Sequence, residues 1–369
     1  MTKLIIDARL YGPKHTGIGR YTKNLLTHLP LTPKFKDFDI SLIVDKSQLK
    51  EIKKDLNNNY RLIPVSIKAY SLKEQLLLPF ILYKHKPNLV HFTHFNKPII
   101  YFGKSVVTIH DLIKHFYKGK LTTTKNQFLY WPKYLAYLLV TYLSIKTSHI
   151  IVPSLYWQKY LIDKYKISKS KIITTHEAVD PNFLKQDRLI VEKPQNYIIY
   201  TGNLYPHKNF SIILKALKKL PYLKLKVICS RDVFQKRAQK LAEKYQVSSQ
   251  ASFLGYLTDE QFKKIYSQAL ALVHPSFMEG FSLTGLESMA LSCPVISSNS
   301  SCLPEIYQDS VLYFNPHKVG ELVSQIKKLQ KSPSLRLSLI KKGYHQVAKY
   351  SWHDTSQKTI AFYDQVLNK

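Results

Sequence analysis

The sequence predicts an α/β protein of two domains, and three observations carry that prediction. The chain is 369 residues long, more than one hydrophobic core usually serves, so two domains of ordinary size are expected. At 45% hydrophobic residues it can build such cores, and disorder is not expected. The stretch around HPSFMEGFSLTGLE (274–287) reads strand, loop, helix, strand: the apolar run ALALV (269–273) precedes it and VIS (295–297) follows it. That is the repeating unit of a parallel α/β sheet.

In chain order, LIID (4–7) reads as the first strand, followed by YGPKHTGIGR (11–20) and an amphipathic helix from about Tyr21 to Leu29. Gly17 and Gly19 would let a backbone approach a ligand closely at a helix start, or form a flexible turn. A dinucleotide fingerprint would follow its strand at once and end on a third Gly, where Thr22 stands. Asp37-Phe38-Asp39 has the D-x-D form of a metal motif, but it precedes the strand-like run 40–44 and reads as a strand-entry turn. Residues 47–103 alternate helix-like and strand-like runs, including 72–83 and 88–92. His91 and His94 flank the end of the latter run; with no third ligand evident, lining or packing is favoured over a metal pair. VVTIHD (106–111) is a buried strand ending in His110-Asp111. Ligands in open α/β sheets bind beyond the carboxyl ends of strands, so His110 would donate to a ligand oxygen there, or simply cap the strand.

The apolar run FLYWPKYLAYLLVTYLSI (128–145) is barely long enough to span a bilayer, and Pro132 and Lys133 interrupt it. It predicts a helix packed in the first domain with one face near a membrane. Residues 149–154 form the next strand and turn, and 172–173 another strand. The polar segment 181–195, with Pro181 and Pro194, reads as an interdomain linker. Residues 197–201 open the second domain, then come Gly202-Asn203-Leu204-Tyr205-Pro206-His207-Lys208-Asn209 and a helix from about Phe210. Lys208 is a point charge suited to a diphosphate. Runs 225–229 and 252–255 and a helix over 259–268 lead to the 274–287 stretch, and a helix over 352–367 ends the chain.

Within 274–287, Pro275 and Gly280 keep the first half out of helix, and Ser282 is placed to cap a helix beginning near Leu283. Glu279 then lies at the mouth of that helix and Glu287 about one turn inside it. Free N–H groups at a helix start bind phosphate, and carboxylates accept hydrogen bonds from diols. An anion at the helix start with a carboxylate toward each end matches a sugar nucleotide. Two isolated glutamates in the same pattern would suit a solvated surface loop equally well.

The whole string, Glu279-Gly280-Phe281-Ser282 through Glu287, then Met289-Ala290, Pro294-Val295 and Leu303-Pro304-Glu305, closely resembles the E-x7-E donor site of family 4 retaining glycosyltransferases. TGIGRY (16–21) resembles the G-I-G-R-Y loop of that family, TIHD (108–111) its T-I-H-D motif, and HEAVDP (176–181) its N-G-V-D-P, with Ala178 in place of Gly. His207 or Asn203 stands where the family usually has Arg. The resemblance implies the GT-B fold: two Rossmann-like domains with parallel sheets facing a central cleft. It implies an acceptor-side domain over 1–180, a linker over 181–195, a nucleotide-sugar domain over 196–350, and a terminal helix over 351–369 crossing back to the first domain.

The activity implied is transfer of a hexose, of mannose or glucose type, from a nucleoside diphosphate sugar to a hydroxyl of a saccharide or lipid-linked saccharide, with retention, in cell-surface polysaccharide assembly. Glu279 would orient the sugar hydroxyls, Glu287 hold the ribose, and His110 line the sugar and acceptor side. Lys208, Arg20 and the N–H groups near Leu283-Thr284 would stabilise the leaving diphosphate. Gly17, Gly19, Asn203, His207, Gly280, Phe281 and Ser282 complete the expected donor site. With one strong cation where the family has two, diphosphate binding should be weaker or pH-dependent. No metal or other cofactor is expected. A sugar-nucleotide epimerase of the same fold, or a non-catalytic homologue that holds nucleotide or lipid, are the alternatives.

The formal net charge of +31 suits acidic partners. The excess is almost all lysine, and arginine is the better residue for bidentate contacts to guanine or phosphate, so specific nucleic-acid binding is not expected. Peripheral contact with an anionic membrane is more plausible. Cys229, Cys293 and Cys302 are odd in number with no C-x-x-C, which fits a reducing compartment. The start enters a strand directly with no signal peptide pattern, and a cytoplasmic place at the inner face of the membrane is expected.

Overall fold

The computed structural model describes residues 1–56, 58–119, 122, 130–184, 191, 194–229, 231–255 and 257–368. The chain divides into two compact units. One comprises Met1–Leu112, Phe128–Glu177 and Ser351–Lys369, the other Ile113–Gln127 and Ala178–Tyr350.

The first unit holds seven parallel strands: β1 (Thr2–Asp7), β2 (Phe38–Asp45), β3 (Arg61–Val65), β4 (Leu89–Phe92), β5 (Ser105–Thr108), β6 (His149–Val152) and β7 (Ile172–Thr174). Their order is β3-β2-β1-β4-β5-β6-β7. Strands β4 and β5 are buried at every position, so they show no alternation of buried and exposed residues, and their polar members His91, Ser105 and Thr108 are buried with hydrogen-bond partners. The second unit holds β8 (Tyr197–Thr201), β9 (Lys224–Ile228), β10 (Ala251–Leu254), β11 (Ala271–His274), β12 (Val295–Ser298) and β13 (Leu312–Phe314), in the order β10-β9-β8-β11-β12-β13. Both sheets therefore reverse direction beside their first strand, between β1 and β4 and between β8 and β11. In doubly wound sheets that switch point is where ligands bind, beyond the carboxyl ends of the strands.

Several expectations need correction. The first helix is Thr16–His28, not one that starts near Tyr21. A 3-10 turn over Pro13–His15 leads straight into it, with Pro13 as its first residue. The aromatic run forms the helix expected of it, Tyr130–Thr147, with Pro132 in its first turn, where a missing N–H costs nothing. Residues 128 and 129 of that run, and 185–190 with 192–193 of the expected linker, lie outside the described residues; Pro181–Leu184 is a single helical turn. Among the described residues no helix is long and apolar enough to cross a membrane. The D-x-D motif straddles a strand entry, with Phe38 and Asp39 opening β2. His91 is a packed histidine: it is fully buried, with Nδ1 2.6 Å from the Tyr363 hydroxyl and Nε2 2.8 Å from Thr108 Oγ1. The three cysteines are buried free thiols.

Candidate active site

The site residues of the second unit gather at its switch point. β8 ends at Thr201, and Gly202 turns the chain with a φ of 136°, a value open to glycine and strained for other residues. The 3-10 turn Pro206–Lys208 follows. Asn209 then takes a left-handed conformation and donates through Nδ2 to the carbonyls of Pro275 (3.2 Å) and Pro316 (2.9 Å). The Phe277 N–H donates to the His207 carbonyl at 2.7 Å. These bonds tie the loop after β8 to the loop after β11.

Across that seam the Lys208 ammonium donates to both oxygens of Glu279, at 2.7 and 2.9 Å. His274, the last residue of β11, places Nε2 3.1 Å from Glu279 Oε1 and 2.9 Å from Ser282 Oγ. The Glu279 side chain is 8% exposed, and that of Lys208 20%. Burial alone would push the Glu279 carboxyl up. The Lys208 ammonium and then the hydrogen bond and charge of His274 outweigh it, and hold the carboxyl well below the usual carboxylate range. Glu279 is thus an ionised acceptor, suited to receive hydrogen bonds from hydroxyls and unsuited to donate a proton. Its own N–H donates to Ser301 Oγ at 3.1 Å.

His207 does not supply a second cation in this arrangement. Burial, then the neighbouring Lys208 charge, lower its pKa to about 4 against the opposing pull of Glu279. Its ring packs against Tyr205 and Tyr117. Asn203 keeps Oδ1 buried without a hydrogen-bond partner, a state that costs ~1–3 kcal/mol.

The helix Leu283–Ala290 begins at this cluster, with the first-turn N–H groups of Leu283 and Thr284 at its mouth and Glu287, buried, in its second turn. Ser282 stands at the N-cap position, but its hydroxyl does not cap the helix. With φ at 81° it points the other way, to His274 and to the Tyr307 hydroxyl at 2.8 Å. Tyr307 OH also donates to the Ser282 carbonyl at 2.9 Å and accepts from the Gly285 N–H at 3.2 Å. Gly285 is required there: a Cβ would lie 2.3 Å from the Tyr307 ring. Gly280 and Phe281 lie between Glu279 and this turn, and Phe281 is buried against Tyr350. His274, Ser301, Gly285 and Tyr307 are members of the site that motif reading missed. Only His274 carried a signal, as the histidine that opens the motif at a strand's end.

In the first unit, Gly17, Gly19 and Arg20 lie in the opening turns of the helix Thr16–His28. Gly19 serves the chain's own backbone: its carbonyl accepts from the Gly12 N–H at 3.1 Å, and a Cβ on it would lie 1.9 Å from the Gly12 oxygen. Gly17 is exposed with open space around it, and Arg20 is exposed. Tyr21, next in line, packs edge-on to the His110 ring at 4.7 Å and reaches Thr108 Oγ1 at 3.2 Å. His110 follows β5 with Nε2 3.0 Å from the Thr93 carbonyl and Nδ1 3.3 Å from Glu177 Oε1. Both ring nitrogens therefore face oxygens of their own unit.

Two parallel α/β units, with an ion-paired glutamate and a helix mouth at the second sheet's switch point, are the arrangement that a resemblance to GT-B glycosyltransferases implies. Residues 183–346 match the family of glycosyl transferases group 1. The whole chain is similar in structure to the glycosyltransferase of Rickettsia africae ESF-5, with a TM-score of 0.72 at 16% identity over 100% of this chain and 99% of that one. The protein is a glycosyltransferase of the GT-B fold. In sequence it is similar to O-antigen chain mannosyltransferase B of Escherichia coli, 26% identical over 373 residues that cover 94% of this chain and 96% of the relative. It is also similar in structure to Anabaena HepE in complex with UDP and glucose, with a TM-score of 0.70 at 14% identity over 98% of each chain.

Proposed function

We propose that the protein transfers a mannose-type hexose, with retention, from a nucleoside diphosphate sugar to a hydroxyl of a saccharide or lipid-linked saccharide during assembly of a cell-surface polysaccharide. The observation that carries this reading is the Lys208–Glu279–His274 cluster at the switch point between β8 and β11. The O-antigen mannosyltransferase relative supports the choice of sugar and pathway class, and the neighbour that holds UDP and glucose supports the donor class.

In this reading Glu279 accepts hydrogen bonds from the sugar hydroxyls, and Glu287 those of the ribose. When the bond to the anomeric carbon breaks, negative charge grows on the diphosphate. The Lys208 ammonium, already oriented, and the N–H groups at the mouth of Leu283–Ala290 meet it. Arg20 and His110 keep the roles that the resemblance implies, Arg20 toward a donor phosphate and His110 toward a sugar or acceptor oxygen. In this reading transfer needs no metal, because the growing charge on the diphosphate falls to the Lys208 ammonium and the helix-mouth N–H groups. The enzyme works at the cytoplasmic face of the membrane.

The test is transfer from a panel of nucleoside diphosphate hexoses, with and without EDTA. Transfer of mannose that survives EDTA is the expected result. Transfer of a different sugar overturns the sugar assignment, and loss of activity in EDTA that added metal restores overturns metal independence. Turnover of the sugar nucleotide without acceptor would instead indicate an epimerase.

A further inference from the structure

The two faces of the first sheet are covered differently. Steps β1 to β2 and β2 to β3 run one way across the sheet, whereas β3 to β4 and β5 to β6 run the other. Right-handed crossovers therefore place helices Thr16–His28 and Leu49–Leu56 on one face, and Leu72–His85 and Tyr130–Thr147 on the opposite one. The terminal helix Trp352–Leu367 packs on Thr16–His28 and covers the first face. The helices of the second face keep an apolar side in solvent.

On Leu72–His85 the exposed apolar residues form a row, Leu72, Leu76, Phe80 and Tyr83, with Leu77 exposed beside it; on Tyr130–Thr147 the row is Trp131, Leu135, Leu139 and Tyr142. Both sets follow the same spacing, i, i+4, i+8 and i+11, which confines each to one arc of about 80°. Leu72 is 83% exposed and Phe80 70%. The chain between β4 and β5 bridges the two helices. Ile99 N–H donates to Gln75 Oε1 and Phe102 N–H to the Tyr83 hydroxyl, each at 2.9 Å, while Phe95 stacks edge-on to Tyr137 and Lys97 Nζ reaches Thr147 Oγ1 at 3.1 Å. This bridge adds its own exposed apolar tip, Ile99, Ile100 and Phe102, the last 83% exposed. Two exposed apolar rows and the apolar tip of the chain that bridges their helices thus lie on one face of the sheet, and clustered exposure of this kind marks an interaction surface.

The charges around it have one sign. Lys73, Lys84, Lys86, Lys133 and Lys146 are exposed on these elements. The single acidic residue of 72–104 and 130–147 is Glu74, which is buried and ion-paired with Arg9. An apolar stripe rimmed by lysine alone is complementary to a bilayer carrying anionic head groups, which neutralise the rim while the rings enter the acyl boundary. It is a poor match to a second copy of itself, because a two-fold contact would set lysine against lysine.

We propose that this face, formed by Leu72–His85, residues 99–102 and Tyr130–Thr147, docks the protein on an anionic lipid bilayer. Aromatic and leucine side chains enter the interface, lysines contact the head groups, and no segment spans it. Docking here brings the enzyme to where a lipid-linked acceptor resides, but it does not depend on the donor chemistry.

The test is co-sedimentation of the full chain with vesicles of phosphatidylcholine alone and of phosphatidylcholine with phosphatidylglycerol. The wild type binds the anionic vesicles at least about tenfold better, and binding weakens when salt rises from about 0.1 M to about 0.5 M. Leu76→Gln/Phe80→Gln/Phe102→Gln lowers binding at least about tenfold, with melting temperature and transfer to a water-soluble acceptor unchanged. Lys73→Gln/Lys84→Gln/Lys133→Gln removes the preference for anionic lipid. The proposal is overturned if the wild type stays in the supernatant, or if the apolar triple variant pellets like the wild type. It is equally overturned if ultracentrifugation shows a wild-type dimer that the triple variant abolishes, since the face would then be a self-association surface.

Discussion

The two sheets share a strand order around their first strands, and each carries a buried ion cluster at its switch point, yet the clusters are built differently. In the first unit Arg9 follows β1. Its Nε donates to Asp7 Oδ1 at 2.8 Å and its Nη2 to Asp7 Oδ2 at 2.6 Å; Nη2 also pairs with Glu74, and Nη1 reaches the Ile67 carbonyl at 3.3 Å. Glu74 receives further bonds from the Tyr70 N–H and from Asn96. A planar guanidinium held by two carboxylates and a carbonyl is saturated, so its place is structural. In the second unit one ammonium on a flexible stem faces one carboxylate, with a neutral histidine beside it. A point charge that can re-aim suits a ligand phosphate. The same topological position thus serves as a rivet in one sheet and as a chemical site in the other.

The sharpest way to break this comparison is Glu279→Ala. Transfer should fall about a thousandfold or more, as removal of a group acting in the transition state does. Nucleoside diphosphate affinity, measured by calorimetry, should stay within about threefold of wild type, because the diphosphate contacts remain. Equal loss of binding and transfer would make Glu279 a structural residue.

Arg9→Met should act on stability instead. It strands the buried Glu74 carboxylate and the partly buried Asp7, and chemical denaturation should show a loss of about 3–5 kcal/mol. Lys208→Met should cost less than half of that, since Lys208 is partly exposed and pairs with one carboxylate, while nucleotide affinity drops about tenfold to a hundredfold. If the two variants exchanged these phenotypes, the contrast between rivet and site would fail.

Gly285→Ala tests the support under the helix mouth. The added methyl must displace Tyr307, which holds Ser282, so a loss of about 1–3 kcal/mol in the melt is expected together with reduced transfer. Unchanged stability would mean that Tyr307 moves freely and positions nothing.

The smallest effect is on pH dependence. An unfolded chain protonates His207 near pH 6.5, and the folded one only near pH 4. Between those values the unfolded state binds more protons, so stability is present above pH 6.5 and is lost as pH falls toward 4. His207→Gln should flatten part of that slope in melts recorded across the window, leaving the contribution of His91, which burial lowers to about 3.

Much of the fold was legible because apolar runs bounded by capping residues mark elements well. Strand β8 and the helices Asp259–Gln268 and Trp352–Leu367 have the bounds that the sequence suggests. The helix start at Thr16 and the cap before Leu283 were harder. At the first, Gly12 and Gly19 pack backbone to backbone, a contact no local pattern reveals. At the second, a left-handed Ser282 sends its hydroxyl away from the helix that its residue type suggests it caps. Glu279, Lys208 and Glu287 could be nominated from motif resemblance. The contact of His274 with Glu279 could not, because a non-helical loop separates them and only its fold sets the distance. That His207 is held neutral was also out of reach, since its residue type allows a cation and only burial beside Lys208 removes the charge.

The central claim is that the Lys208–Glu279 seam and the helix mouth after it bind a nucleoside diphosphate sugar. The most direct measurement is thermal stability against GDP, UDP, ADP and TDP and their hexoses in the absence of metal, for the wild type, Lys208→Met and Glu287→Ala. The account predicts that one base stabilises the wild type, by ~2.7 kcal/mol at a hundred times its dissociation constant, and that both variants lose the effect while still folding. Stabilisation that survives in both variants, or none with any nucleotide, would contradict it.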